Sequence, residues 1–349
     1  MRLGPGTLIA KTDIKSAYRI IPIHPESIPL LGFVWDGYYY FDRFLPFGLA
    51  LACNYFEKFS TALVWIAQQR HNNTLMTHII DDFMFFGAPA TNACQRSLTS
   101  FITLAYDISL PLAAKKTHEP ATKQILHGLL VDTDSMTIRI PSDKLLRAKE
   151  ALDVLVRSIS VTLARLQSYL GLLSFICQAV VPGRAFLRRL YYLTRHVKSK
   201  NSTIRITTAA RFDILAWQSF LESHEGTSML VNRRWEQSLT FHIYTDAAAS
   251  QGYAAVLGHK WIVGTWPRTW ANFHISVLEL YPIVAALVTW SNILSNGCVI
   301  VHCDNTAVCA AINKTSSPHM KTMTLLPPCS CSYDPQHIVP CSSYPWGTK

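Results

Sequence analysis

Along the first 140 residues, short apolar runs alternate with polar punctuation, a period-two pattern that predicts strands. Leu8–Ile23 (LIAKTDIKSAYRIIPI) reads as an apolar strand ending at Asp13, followed after Tyr18 and Arg19 by a second strand-like run, IIPI. Thr77–Phe86 (THIIDDFMFF) reads as two apolar strands joined by a two-residue Asp81-Asp82 turn, a hairpin with carboxylates at its tip. Between them, in Phe44–Phe59 (FLPFGLALACNYFEKF), Pro-Phe-Gly ends an extended run. It opens an amphipathic stretch with Leu49, Ala52, Tyr55, Phe56 and Phe59 on one face.

From Pro141 the period changes to that of helices. Ser142 or Asp143 is the expected N-cap of a helix with Leu145, Ala148, Leu152 and Val156 on one face. A second helix carries Leu163, Leu166, Leu170, Leu173 and Cys177, and Pro182-Gly183 breaks the run. Strands return near Leu239: two flank Thr245-Asp246-Ala247, a third covers Lys260–Trp266, and Val299–Asp304 (VIVHCD) is a fourth that ends on a carboxylate. Between the third and fourth, Ser276 opens a helix with Val277, Leu280, Tyr281, Val284, Leu287 and Val288 at i, i+3, i+4 spacing. Ser276 and Glu279 also form an S-x-x-E pair, so Glu279 reads either as a helix cap or as a ligand beside Asp304. The whole is an α+β chain: 1–140 mostly strands, 141–235 a helical connector, 236–314 a mixed-sheet domain, and 315–349 a Pro, Ser and Cys-rich tail without helix or strand pattern.

Composition narrows this picture. With 349 residues, 49% of them hydrophobic, there is enough apolar material for more than one core. The longest apolar stretch, Tyr169–Val181, is shorter than the ~18 to 20 residues that span a bilayer, and no secretory signal precedes it, so a soluble intracellular protein, cytoplasmic or nuclear, is expected, with no membrane partner. Nine cysteines at irregular spacing, with only Cys329 and Cys331 close together, read as structural thiols. Thirty-two Lys and Arg against 22 Asp and Glu give +10, which favours a polyanionic partner where the charge is clustered. It is clustered at Arg184, Arg188, Arg189, Arg195, Lys198, Lys200, Arg205 and Arg211, with no acidic residue among them and Tyr191 and Tyr192 interleaved. This segment reads either as a phosphate-tracking surface or as a solvated basic face.

An Asp-Asp turn alone is a common surface feature, since Asp tolerates positive φ. The order strand-Asp, Pro-x-Gly-helix, Asp-Asp hairpin is much rarer. DIKSAY, LPFGLALACNYF and IIDDFMFF resemble the successive palm motifs of retroelement reverse transcriptases, most closely the DIRS-like retrotransposons, and the resemblance runs through KTHEPATKQILHGLL and VVPGRAFLRRL to about residue 315. YTDAAASQGYAAVL, ISVLELYPIVAAL and VHCDNTAVCAAINK are similar to retroelement ribonuclease H domains. An ordinary ribonuclease H with an unrelated N-terminal domain leaves the Asp13 to Asp82 motif order unexplained.

The resemblance implies a reverse transcriptase palm, a helical thumb and connection, and a truncated ribonuclease H-like α/β domain. By match, Asp13 and Asp81 are the main metal ligands of the palm, with Asp82 a supporting carboxylate, holding two Mg²⁺ (Mn²⁺ as substitute) ~4 Å apart. Tyr18 matches the ring under the nucleotide sugar, Phe47 and Gly48 the floor of the nucleotide pocket, and Lys116 or its neighbour Lys115 a lysine facing the leaving phosphate. His127 and Gly128 match the primer grip, and Arg184, Arg188, Arg189 and Arg195 fall in the part that holds primer and template. Asp246, Glu279 and Asp304 match three of four acids that hold the two metals of the ribonuclease H site. The implied partners are an RNA template, a DNA primer, their RNA/DNA hybrid and deoxynucleoside triphosphates. Two departures are Ile79 for the usual Tyr before the Asp pair and Ala52-Cys53 for the usual Ala-Pro.

The expected fingers before Asp13 are not matched, and after Lys314 the fourth acid and its helix do not follow. Ser343–Lys349 (SYPWGTK), shifted by one base in its codons, can read HIPGEQ, the expected late loop, so a frame change between about Met320 and Leu325 is expected. A catalytically inactive remnant that at most binds nucleic acid is therefore the rival expectation, with little DNA synthesis or hybrid cleavage.

Overall fold

The structure, a computed structural model, describes residues 3–70, 75–223, 226–229, 240–270, 272–294, 297–315, 317, 321–322, 325 and 341–342. It divides into two compact units, Met1–Met136 and Thr137–Lys349.

In the first unit, a four-stranded sheet has the order β4 (Met76–Ile79), β5 (Asp82–Gly87), β1 (Leu8–Asp13), β6 (His118–Ala121). Helices α1 (Ala52–Arg70) and α2 (Ala93–Asp107) contribute Phe56, Leu63, Leu98 and Phe101 to a core with Ala10, Phe83 and Phe85 from the sheet. The buried face of α1 is Ala52, Phe56, Ser60, Leu63 and Ala67; Leu49 and Tyr55, expected on that face, are 38% and 52% exposed. Residues spaced by three to four positions from Phe56 reach the sheet, whereas Tyr55 is turned about 100° away from it. The IIPI run is not a strand: Ala17–Ile20 makes a single 3-10 turn and Pro22 only an isolated bridge to Phe44, as expected of a residue with no N–H to donate. β2 (Gly32–Trp35) and β3 (Tyr38–Phe41) form a separate aromatic hairpin with all eight residues exposed. β7 (Lys123–Leu126) and β8 (Leu129–Asp132) are joined by His127-Gly128, whose φ values of 48° and 79° suit a primed hairpin turn.

The second unit begins with β9 (Thr137–Arg139) and α3 (Ser142–Arg157), whose N-cap is Pro141, without a side-chain cap, and not Ser142 or Asp143. β10 (Ser160–Thr162) leads to α4 (Leu163–Ile176), which buries Leu163, Leu166, Leu170 and Leu173 as expected, and Ile176; Cys177, expected on the helix, is its buried C-cap. α5 (Arg188–Thr194), β11 (Thr203–Arg205), α6 (Thr208–Ser223) and β12 (Thr227–Met229) complete this part, with Trp217 fully buried.

A five-stranded sheet follows, ordered β15 (Lys260–Gly264), β14 (Gly252–Leu257), β13 (Thr240–Ala248), β16 (Cys298–His302), β17 (Cys341–Ser342). β13 and β16 run parallel and the β13–β14–β15 ladder is antiparallel. Gly252, at φ 144°, lets β14 pass its neighbour: a Cβ there would lie 2.1 Å from the Gly264 carbonyl oxygen. Helices α7 (Ile275–Thr289), α8 (Ser291–Leu294) and α9 (Thr306–Lys314) supply Leu280, Ile283, Leu287, Leu294 and Ile312 to a core with Ile243 and Val301. α7 buries Val277, Leu280, Val284 and Leu287 as expected but leaves Val288 60% exposed. Cys341–Ser342 pairs in parallel with β16 although no strand was expected after Lys314, because an open sheet edge accepts any extended segment. The HIPGEQ loop, together with Cys329 and Cys331, lies outside the described residues, and of residues 320–325, where the frame change is expected, only Lys321, Thr322 and Leu325 are described. Among the described residues no helix is long and apolar enough to cross a membrane.

Candidate active sites

The first acidic cluster follows from strand register. β1 and β5 pair antiparallel with Asp13 directly opposite Asp82, so the two carboxylates project from neighbouring strand ends. The β4–β5 turn consists of Ile80 and Asp81, not Asp81 and Asp82, since Ile79 pairs with Asp82. Ile80 sits at φ 55°, an unfavourable conformation for a β-branched residue, and α1 holds it there. The Ile80 amide donates to Glu57 Oε2 at 3.0 Å, and its carbonyl accepts Ser60 Oγ at 2.6 Å. The Ile14 amide donates to the Asp81 carbonyl at 3.1 Å, tying the turn to the end of β1.

Asp13 is 5% exposed, and the exposed ammonium of Lys116 reaches its Oδ2 at 2.8 Å. Lys116 is thereby raised above the usual lysine range, by its bond to Asp13 first and by the charges of Asp81 and Asp82 further. Partial burial raises Asp82 above the usual carboxylate range, helped by a hydrogen bond to Asp13 and by the charges of Asp13 and Asp81; His127, with Nδ1 at 3.8 Å from Asp82 Oδ2, acts in the opposite sense. A cluster of carboxylates that attracts a lysine ammonium and pushes Asp82 above its ordinary range is a site with excess negative charge, suited to cations.

Tyr18 packs edge-on against Phe47 at 5.1 Å and Phe56 at 5.3 Å, and the charge of Asp81 acts on it. Its hydroxyl meets Cys53 Sγ at 3.0 Å, the main cause of a phenol pushed up to about 12. Phe47 is 63% exposed, and Gly48, at φ 90°, opens onto space that a Cβ would not fill. The structure thus gathers Asp13, Asp81, Asp82, Tyr18, Phe47, Lys116 and His127 in one unit.

The second cluster also follows from register. β13 runs unbroken through Thr245-Asp246-Ala247, which the sequence placed between two strands, and β16 ends at His302, two residues before Asp304. The two strands pair up to Tyr244 and His302, so that Asp246, within β13, and Asp304, just past β16, come to the same end of the sheet. α7 starts at Ile275 with His274 as N-cap, its Nδ1 accepting the Ser276 amide at 3.2 Å. The capping alternative for Glu279 is thus not realised; Glu279 is buried at 5% exposure, and its Oε2 has no hydrogen-bond partner among the described residues. Burial, then the charges of Asp304 and Asp246, push Glu279 up to about 7. A ligand atom of Glu279, the Cys303 sulfur and an Asp304 oxygen all lie within 4.8 Å of one another. A buried carboxylate oxygen without a donor, among further acids, is what a cation site requires.

The basic segment is less uniform than its sequence. Arg184, Arg188 and Arg195 are exposed, and Arg184 and Arg188 line a cavity of about 270 Å³ with Ser174, Cys177, Leu187 and Tyr191. Arg189 instead donates to the Ala209 carbonyl at 2.8 Å and to Asp213 Oδ1 at 3.1 Å. Asp213 is 4% exposed, and burial holds it up at about 6 despite the guanidinium beside it.

No family model matches the sequence. Over 114 residues, 33% of the chain, it is 31% identical to the genome polyprotein of Petunia vein clearing virus, in isolates Shepherd and Hohn alike, and it spans about 5% of that polyprotein's length. The foamy viral protease-reverse transcriptase in complex with an RNA/DNA hybrid superposes with a TM-score of 0.55 at 16% identity, over 99% of this chain and 45% of that one. The dRH form of the same foamy viral protein, in complex with double-stranded DNA, gives 0.52 at 17% identity, over 98% and 58%. The chain has a reverse-transcriptase-like fold.

Within that fold, several residues that shape the sites were not evident beforehand. Glu57 and Ser60, spaced three apart on α1, support the Ile80 turn; their only signal was their place just after the Pro-Phe-Gly start. Cys53 was noticed as a departure and proves to be the partner of Tyr18. Cys303 stood beside a candidate ligand but was counted with the structural thiols. Asp213 lies 24 residues from Arg189, outside any local pattern.

Proposed function

We propose that this chain is the palm-to-ribonuclease-H part of a retroelement reverse transcriptase of the DIRS-like group, acting on an RNA template, a DNA primer and deoxynucleoside triphosphates. The observation that carries the reading is the register of Asp13 against Asp82, with Asp81 tied to the end of β1 and Lys116 on Asp13.

Asp13 and Asp81, with Asp82 in support, would hold divalent cations, Mg²⁺ or Mn²⁺, in the first site; Asp246, Glu279 and Asp304 would do so in the second. The donor sets fit: the first already draws a lysine ammonium, and the second contains an unpartnered buried oxygen. When bound, such ions favour ionisation of the attacking hydroxyl or water and offset charge on the leaving oxygen. Lys116 keeps its proton beside the carboxylates and presents it towards an incoming polyphosphate. Tyr18, braced by Phe47, Phe56 and the Cys53 thiol, forms a wall against which a sugar can be positioned. His127 and Gly128 set a tight hairpin next to Asp82, and the exposed Arg184, Arg188 and Arg195 provide phosphate contacts for a duplex.

The test is addition of one deoxynucleotide to a DNA primer on an RNA template by the purified chain with Mn²⁺ or Mg²⁺. Asp13→Asn and Asp81→Asn should each lower it by about a hundredfold or more, the scale on which preorganised charge stabilisation acts. Asp36→Asn, in the exposed β2–β3 turn, should not. Addition that persists in both Asp variants contradicts the reading. Binding of primer and template without any addition selects the inactive, nucleic-acid-binding alternative.

A further inference from the structure

Cys303, beside Glu279 and Asp304, is a side chain that the carboxylate reading leaves unused. Cys303 follows β16 directly, is 3% exposed and is a free thiol. It is held in place by burial in the core cluster with Val301, Val308 and Cys309. It lies within 4.8 Å of ligand atoms of both Glu279 and Asp304, and Glu279 Oε2 is buried without a hydrogen-bond partner among the described residues. The β16 end, the following loop and the first turns of α7 thus bring one sulfur and two carboxylates to a common point.

We propose that Cys303, Glu279 and Asp304 form a thiolate-containing site for a borderline-soft divalent cation, binding Zn²⁺ in preference to Mg²⁺. Thiolate ligands select zinc-like ions, whereas Mg²⁺ takes oxygen donors in a near-octahedral shell. Zinc bonds of about 2.3 Å to sulfur and about 2.0 Å to oxygen place tetrahedral donors about 3.5 Å apart. The exposed Asp304 has the freedom to close that gap, while Cys303 and Glu279 are fixed by burial. On binding, the Cys303 thiol gives up its proton to solvent, the sulfur and two carboxylate oxygens coordinate the ion, and water completes the shell. The inference uses the position of the second acidic cluster and not its proposed cleavage activity. Its consequence for that activity is that Zn²⁺ holds ligands a Mg²⁺ pair needs and so competes with it.

The experiment uses the full chain, stripped of metal by a chelator and titrated with Zn²⁺ and with Cd²⁺ in a large excess of Mg²⁺. One ion should bind despite the Mg²⁺, with Cd²⁺ giving a thiolate charge-transfer band. Cys303→Ser should abolish that band and weaken Zn²⁺ binding more than tenfold. Glu279→Gln should also weaken Zn²⁺ binding more than tenfold while leaving the sulfur in place. Cys53→Ser, an exposed thiol in the other unit, should change neither. Hydrogen exchange in β13 of the metal-free variants checks that the sheet is intact, and if Cys303→Ser perturbs it, Cys303→Ala and Glu279→Gln decide. Displacement of Zn²⁺ by Mg²⁺ at comparable concentrations, a band that survives in the Cys303 variants, or no Zn²⁺ binding overturns the proposal. Hybrid cleavage with Mg²⁺ in a chain that ignores Zn²⁺ overturns it while leaving the proposed function standing. Zn²⁺ binding without cleavage does the reverse.

Discussion

The two acidic clusters place carboxylates at strand ends in the same way but treat their charge differently. In the first, Asp13 is buried yet shares its charge with Lys116, and Asp82 spreads charge through a hydrogen bond to Asp13. In the second, Glu279 is buried to the same degree, faces Asp246 and Asp304, and has no cation beside it among the described residues. A third buried acid, Asp213, stands between these cases with Arg189 as its partner. The difference teaches that strand register brings acids together, while a neighbouring cation decides whether the protein itself offsets their charge or leaves that task to a ligand.

Turning a balanced acid into an unbalanced one has the largest expected effect on stability. Arg189→Ala removes the partner of Asp213 and should destabilise the α5–α6 region by about 3–5 kcal/mol at neutral pH. Because the folded pKa of Asp213 is raised to about 6, the fold prefers the neutral acid. That preference stabilises fully below the unfolded value and is lost as pH rises through the folded one. The Arg189→Ala penalty should therefore shrink towards about pH 5, read by hydrogen exchange in α6. An equal penalty at both pH values contradicts this.

Glu279 offers the complementary test. Raised to about 7, it stabilises the metal-free sheet most below its unfolded value, and that stability is lost as pH rises through about 7. The loss is about 3–4 kcal/mol in all, from the pKa difference. Glu279→Gln should flatten the dependence, and a divalent cation should cancel it in the natural chain. A pH profile identical in the Gln variant would show that Glu279 is balanced by something else.

The smallest effect separates arginines that act inside the protein from those free to act outside it. Arg184→Ala with Arg188→Ala should lower the slope of log affinity against log salt for a duplex by about 1.8, at ~0.9 for each phosphate contact. Arg189→Asn, assessed on folded protein, should leave the slope unchanged. If all three arginines contribute equally, Arg189 is not committed to Asp213.

The strand ending on Asp13 is legible because an apolar run ending on a carboxylate is a local pattern, whereas Asp246 lies inside β13 and not between two strands, and Asp304 lies two residues past the end of β16. The α4 face was legible for the same reason. What sequence alone could not supply were contacts made across the fold: the Ile80 turn held by Glu57 and Ser60, Tyr18 against Cys53, Arg189 against Asp213. Tyr55 was misassigned because a Leu, Ala and aromatic run fits more than one helical face, and burial chooses between them. Glu279 was open to two readings until His274 proved to cap α7. Cys303 was passed over because a buried cysteine is usually an apolar filler, and only its distance from two carboxylates distinguishes it.

Metal-directed cleavage tests most directly whether the two clusters are separate cation sites. Fe²⁺ in place of Mg²⁺, with ascorbate and peroxide, cuts the backbone next to bound metal, and the fragments are read by mass spectrometry. Two sets of cuts are predicted, one around Asp13 and Asp81-Asp82, the other around Asp246, Glu279 and Asp304. Asp81→Asn should suppress only the first and Glu279→Gln only the second, with Mg²⁺ competing at the first. Diffuse cleavage, or cuts that persist unchanged in both variants, would contradict the assignment of either cluster as a metal site.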